Sequence, residues 1–152
     1  MKTVVQRVKT CSVEVEGRIV GRIEKGLLIY LGIGNEDGER EIGFLVNKIL
    51  NLRIFPDSEG KMNLSVKQIA GEILVVSQFT LFADLSKGRR PSFNNAAQPD
   101  LAIPLYEKFI KELEDSGIKV ERGIFGALMQ VKYCNDGPVT IILDSEEFYP
   151  LT

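Results

Sequence analysis

"TVVQRVKTCSVEVEG", residues Thr3 to Gly17, is the stretch that decides the fold class. Val4, Gln6 and Val8 fall on one side of a period of two, and Ser12 and Glu14 alternate against Val13 and Val15. Successive side chains leave a strand on opposite faces, so this pattern predicts half-buried β-structure. Gly17-Arg18 reads as a hairpin turn into a second strand, "RIVGRI". "GLLIYLGIG" (Gly26–Gly34) follows. It is apolar without alternation, which suits a strand covered on both faces.

Helical periodicity takes over further on. Ile42, Leu45, Val46, Ile49 and Leu50 form one apolar stripe, with Glu36, Asp37, Glu39 and Glu41 at the end where the helix dipole favours acids. "FPDSEGK" (55–61) is turn chemistry, and "GEILVVSQFTLF" (71–82) predicts another strand. That strand would set Ser77, Phe79 and Leu81 on one side and Gln78, Thr80 and Phe82 on the other. The polar segment from Ala83 to Asp100 exceeds the about 12–15 residues usual for a structureless connection, which points to function. A second helix is predicted over about 101–115, stopped by Gly117; either it starts near Pro104 or that proline costs its first turns one hydrogen bond. "ALMQVKY" and "PVTIIL" predict two last strands joined by "NDGPVT" (Asn135–Thr140). The fold class is therefore α/β, with helices covering one face of layered, mixed β-sheets.

The chain has 152 residues, 44% hydrophobic and 26% charged, which predicts one domain over 1–152 with a real core. Lys2, Arg7 and Lys9 interrupt the first apolar residues, so no signal peptide is read there. No apolar run approaches the about 18 residues of a membrane span, and the cytoplasm is the expected compartment. Cys11 and Cys134 are expected to stay reduced, Cys134 as a core residue. A net charge of −2 advertises no broad basic field.

The chain contains no histidine. That removes Ser-His and Cys-His nucleophile pairs and most zinc sites, and neither metal nor cofactor is expected. "GIGNEDG" imitates a dinucleotide fingerprint, but its sixth position is Asp37 and the acids beside it would repel a pyrophosphate. It reads as a loop and helix cap.

Three stretches remain as candidate chemistry. "SQFTLF" gathers Ser77, Gln78 and Thr80 at a strand end, and "KGRRPSF" (Lys87–Phe93) offers a compact positive cluster with an aromatic residue. "NDGPVT" opens a strand on Gly137-Pro138, the one kind of peptide bond that is cheaply cis. Each also has a plain structural reading: a strand end, a solvated cluster, a turn.

Taken in order, "SQFTL", "GRRPSF" and "NDGPVT" closely resemble the D-aminoacyl-tRNA deacylase family. "MKTVVQRVKTCSVEVEG", "LRIFPDSEGKMNLSV" and "FGALMQV" extend the likeness over nearly the whole chain. Tyr133-Cys134 stand where small aliphatics are more usual, and the acidic tail (about 144–152) is an extension. The resemblance implies a homodimer of α/β/β fold that hydrolyses the ester between a D-amino acid and the 3′-terminal adenosine of tRNA. It implies Ser77, Gln78 and Thr80 as catalytic, and Phe79, Leu81 and Met129 on the substrate, with Arg89 and Arg90 as the phosphate handle. Gly137 and Pro138, a cis pair in the family, would enter the partner subunit's pocket and exclude L-residues. Glycine has no side chain to clash, so glycyl-tRNA would be a further substrate. Either Thr80 attacks the ester or the substrate's own 2′-OH assists; the second is favoured because nothing in the sequence activates a threonine. The rival reading is a non-catalytic RNA- or protein-binding module on the same fold.

Overall fold

The computed structural model describes residues 1–148; residues 149–152, the end of the acidic tail, lie outside the described residues. The strands are β1 (Lys2–Val15), β2 (Arg18–Ile23), β3 (Gly26–Gly32), β4 (Phe55–Pro56), β5 (Met62–Leu64), β6 (Glu72–Ser77), β7 (Val120–Arg122) and β8 (Gln130–Asp144). Two α-helices, α1 (Glu39–Asn51) and α2 (Pro99–Asp115), follow β3 and precede β7 respectively.

We expected stacked sheets. The layers instead come from one six-stranded sheet, ordered β2-β1-β3-β6-β7 with β8 also paired to β1. It curls until β2 and β7 approach: a Cβ on Gly21 would sit 2.6 Å from the Arg122 carbonyl oxygen. The two faces of β3 and β6 feed two cores. Leu27, Ile29, Ile73 and Val75 pack under the helices against Ile42, Leu45, Phe109 and Leu113. Leu28, Leu74 and Val76 point into the curl, where they meet Val8, Cys11, Val13 and Ile23. That is why these strands carry no alternation.

In β1 the alternation changes phase. Thr3 and Val5 are buried toward the helices, whereas Cys11 and Val13 are buried inside the curl. The register against β8 shifts between Gln6 and Val8 and again between Val8 and Cys11, which lets one strand serve both cores. The hairpin turn is Glu16 (φ 50°) and Gly17 (φ 77°), one residue before the expected Gly17-Arg18, because Arg18 already opens β2.

Both helices lie close to where they were expected. Glu41 accepts a hydrogen bond from the Gly38 amide at 2.8 Å, and Asp37 takes the Gly34 amide at 2.6 Å. The acids of "GIGNEDG" thus satisfy their own loop. α2 begins two residues early, at Pro99, and contains Pro104; Gly117 ends it at φ 85°. Three expectations change. "QFTLF" is not strand: β6 ends at Ser77, and Phe79–Phe82 form a 3-10 turn. The two last strands are one, β8. By contrast "FPDSEGK" is the turn it was expected to be, and it closes a small β4–β5 ribbon. Cys134 is exposed rather than in the core, while burial pushes the Cys11 thiol up to about 12.

No helix among the described residues is long and apolar enough to cross a membrane. The contact between Gly21 and β7 predicts that Gly21→Val destabilises the fold by about 1–3 kcal/mol, as overpacking against backbone does. Urea denaturation reads this directly, and an unchanged midpoint would refute the closure.

Candidate active site

The parallel strands β3 and β6 end side by side, with Leu31 opposite Ser77. Beyond them opens a cavity of about 340 Å³. Ser77, Gln78 and Phe79 form one wall, and Phe125, Ala127 and Met129 another. Of the site residues expected from the sequence, Ser77, Gln78, Phe79 and Met129 line it. Thr80, Leu81, Arg89 and Arg90 do not.

The turn at Gln78 explains this sorting. As a strand, the segment would have split Gln78 and Thr80 from Ser77 and Phe79. The 3-10 turn instead folds Gln78 back, and its Nε2 donates to the Thr80 hydroxyl oxygen. The partner of Thr80 is an amide donor, not a base able to take its proton. Leu81 is spent on structure: a Cβ on Gly32 would lie 3.0 Å from the Leu81 Cβ, so β3 and the turn touch at that point.

The long polar segment returns to the same wall. Asp84 and Ser92 exchange backbone hydrogen bonds of 2.8 and 2.9 Å, closing a loop with Lys87, Arg89 and Arg90 exposed along it. Hydrogen bonds from the Ser86 amide and hydroxyl hold the Asp84 carboxyl below its usual range. Phe93 leaves this loop to meet Phe79 edge-on, ring centres 4.9 Å apart. "SQFTL" and "GRRPSF" are therefore one rim. Behind the opposite wall, Tyr106 stacks edge-on against Phe125 at 5.6 Å, and burial pushes its hydroxyl up to about 12.

"NDGPVT" lies elsewhere. Thr140 faces Gln6 and Asn135 faces Val8, so residues 136–139 bulge opposite the single residue Arg7. The Gly137–Pro138 peptide bond is cis, and both residues are exposed and outside the cavity lining. The bulge is held from below. Asn135 Nδ2 donates to the carbonyls of Arg7 (3.0 Å) and Val139 (3.1 Å), and Thr140 Oγ1 donates to Gln6 at 2.6 Å. The Arg7 guanidinium, only 9% exposed as a residue, donates from Nε to the Asp136 carbonyl (3.0 Å) and from Nη1 to the Ile54 carbonyl (2.7 Å). The Asp136 carboxylate, 3.6 Å from Nε, balances its charge.

Gly137 has φ 128°, a region that L side chains rarely adopt, and a Cβ there would lie 2.9 Å from Arg7 Nη2. Sequence reading missed Arg7. Its one visible signal is a charge at an inward-facing position of an alternating strand, which demands a buried partner. Removing the guanidinium leaves the Ile54 carbonyl buried without a donor, a cost of about 1–3 kcal/mol. Arg7→Met is expected to lose at least that in urea denaturation. Arg7→Lys should recover only part, because one ammonium cannot reproduce the planar fork. Wild-type stability in both would contradict the brace.

Comparison with known proteins bears on what this arrangement is for. Residues 4–144 match the family described as D-Tyr-tRNA(Tyr) deacylase. A protein of Thermosipho africanus called D-aminoacyl-tRNA deacylase is 55% identical over 149 residues, covering 98% of this chain and 100% of its own length. One of the same name from Aquifex aeolicus is 58% identical over 147 residues, covering 97% and 99%. Among solved structures, the c-Myc DNA Unwinding Element Binding Protein superposes with a TM-score of 0.89 at 44% identity, over 95% of this chain and 98% of that one. A probable eukaryotic D-amino acid tRNA deacylase superposes with a TM-score of 0.79 over 93% and 97%; at 18% identity that likeness concerns the fold alone. With the family matched from β1 to the end of β8, the chain belongs to the D-Tyr-tRNA(Tyr) deacylase family.

Proposed function

We propose that this protein is a cytoplasmic, homodimeric hydrolase that cleaves the ester joining a D-amino acid to the 3′-terminal adenosine of tRNA. Water adds to the ester carbonyl, the bond to the ribose oxygen breaks, and a free D-amino acid and a tRNA with its hydroxyl restored depart. Family membership and the names of the relatives support the reaction. One structural observation carries the stereochemical reading: Gly137 and Pro138 are braced by Arg7 yet lie outside the lining of their own chain's cavity. A rigid feature of that kind is suited to filling a neighbour's cavity.

The partner would be a second copy. Among the described strands β8 pairs with β1 alone, leaving a long edge with Ile142 71% exposed and Tyr133 37% exposed. Exposed edges of this length invite pairing. In the dimer, the Gly137-Pro138 backbone of one subunit closes the cavity of the other. Enantiomers have equal size and polarity, so only fixed geometry separates them. A backbone wedge rejects the L-side chain by collision. Glycine offers nothing to collide with, so glycyl-tRNA is accepted as well.

An aminoacyl ester is already activated, and orientation plus hydrogen-bond donors supply much of the acceleration. Phe79 and Thr80 stand in the first turn of the 3-10 segment, where backbone N–H groups find no acceptor within the helix. The Gln78–Thr80 pair supports positioning of the substrate over attack by Thr80, leaving the 2′-OH of the substrate to assist. Arg89 and Arg90 take phosphates of the acceptor end. A net charge of −2 accords with few such contacts.

Ester loss from D-tyrosyl-tRNA and L-tyrosyl-tRNA tests the reading. The protein is expected to discharge the first and spare the second; loss of neither would favour a binding module, and equal loss of both an unselective esterase. In single turnover, Thr80→Ala should keep D-ester hydrolysis within about tenfold of wild type, while Gly137→Val, strained and colliding with Arg7, should lose about 100-fold or more. A folded but inactive Thr80→Ala would instead make Thr80 the nucleophile.

A further inference from the structure

We infer that Asn63 is a positioning residue for stereochemical selection, acting through the Ile54 carbonyl and Arg7; this rests on the wedge proposed above. The β4–β5 ribbon stands apart from the main sheet. Its register pairs Phe55 with Leu64 and Pro56 with Met62, with a shift between them, and Pro56 has no N–H to give. A two-stranded ribbon so thinly paired does not hold its shape by backbone bonds alone.

Asn63 supplies what is missing. Its Oδ1 accepts from Arg53 Nη2 at 3.0 Å, and its backbone carbonyl accepts from Arg53 Nε at 2.9 Å. In the other direction its Nδ2 donates to Asp57 Oδ2 at 2.8 Å. Asp57 Oδ1 in turn collects the amides of Glu59 (2.9 Å) and Lys61 (3.0 Å), which shapes the turn. The Asn63 amide, then the Lys61 amide, hold the Asp57 carboxyl below its usual range. One side chain thus ties both arms of the ribbon.

Arg53 is the immediate neighbour of Ile54, the residue whose carbonyl fixes Arg7. The guanidinium is planar and rigid, its other bond is on the Asp136 carbonyl that joins Gly137, and its Nη2 lies where a Cβ on Gly137 would collide. A shift of the Ile54 carbonyl therefore reaches the Gly137-Pro138 backbone through one inflexible group. The ribbon is the fixed end of that lever.

The test compares rates on D- and L-tyrosyl-tRNA, alongside thermal melts, for Asn63→Ala and for the exchange D57N/N63D. Asn63→Ala is expected to raise the L-to-D rate ratio by about tenfold, since small misplacements at a site cost up to about 100-fold. The exchange keeps an acceptor for Arg53 and restores a donor–acceptor pair across the ribbon. It should return the ratio to within about twofold of wild type. A ratio unchanged in Asn63→Ala, or both rates falling together with the melting temperature and no recovery in the exchange, would overturn the inference while leaving the wedge intact. A wild-type protein indifferent to the hand of the amino acid would remove the wedge and this inference with it.

Discussion

One buried guanidinium sets the terms for the rest of this molecule. Arg7 sits on an inward position of β1, where a charge is tolerated only if its donors are answered. They are answered by carbonyls from two otherwise unrelated segments, Ile54 before the β4–β5 ribbon and Asp136 in the bulge of β8. The bulge has no regular ladder of its own, since four residues face one. Arg7 and Asn135 replace the missing ladder bonds and give the exposed backbone a single shape.

Under the proposed function, that constraint would free side chains from the task of selection. The chain has no histidine, and its cavity wall offers a serine, a glutamine and aromatic surface rather than a strong base. Such a wall orients an activated ester well but says little about handedness. In the function proposed above, shape held from outside the cavity would supply the discrimination, a task for which braced backbone is better suited than a rotatable side chain. The labour would thereby be divided, with chemistry at the ends of β3 and β6 and selection on β8.

Much of this was legible in the sequence, for physical reasons. Period-two alternation marked β1, continuous apolar runs marked β3 and β6, and a 3.6-residue stripe with terminal acids marked α1. These signals are local. What escaped was set by contacts between distant segments. The 3-10 turn after Ser77 follows an apolar strand with no glycine or proline to announce it, and it brings Gln78 onto Thr80. Residues 130–144 look like two strands because "NDGP" is turn-forming; Arg7 and Asn135 keep them continuous. The curl that converts one sheet into two layers depends on Gly21 meeting β7, some hundred residues away in sequence. Leu81 follows the motif that lines the cavity, yet its side chain packs on Gly32 because the turn rotates it away.

Complementation between protomers tests most directly that handedness is decided across the subunit boundary. A hybrid dimer would join one subunit carrying Ala127→Trp, which fills the cavity, to one carrying Gly137→Val, which spoils the wedge. On this account each variant alone would lack a complete site. In the hybrid, the open cavity of the second subunit receives the intact wedge of the first, and the account predicts renewed, D-selective ester hydrolysis. A hybrid as inactive as its parents would mean that wedge and cavity must belong to the same chain, contrary to the account.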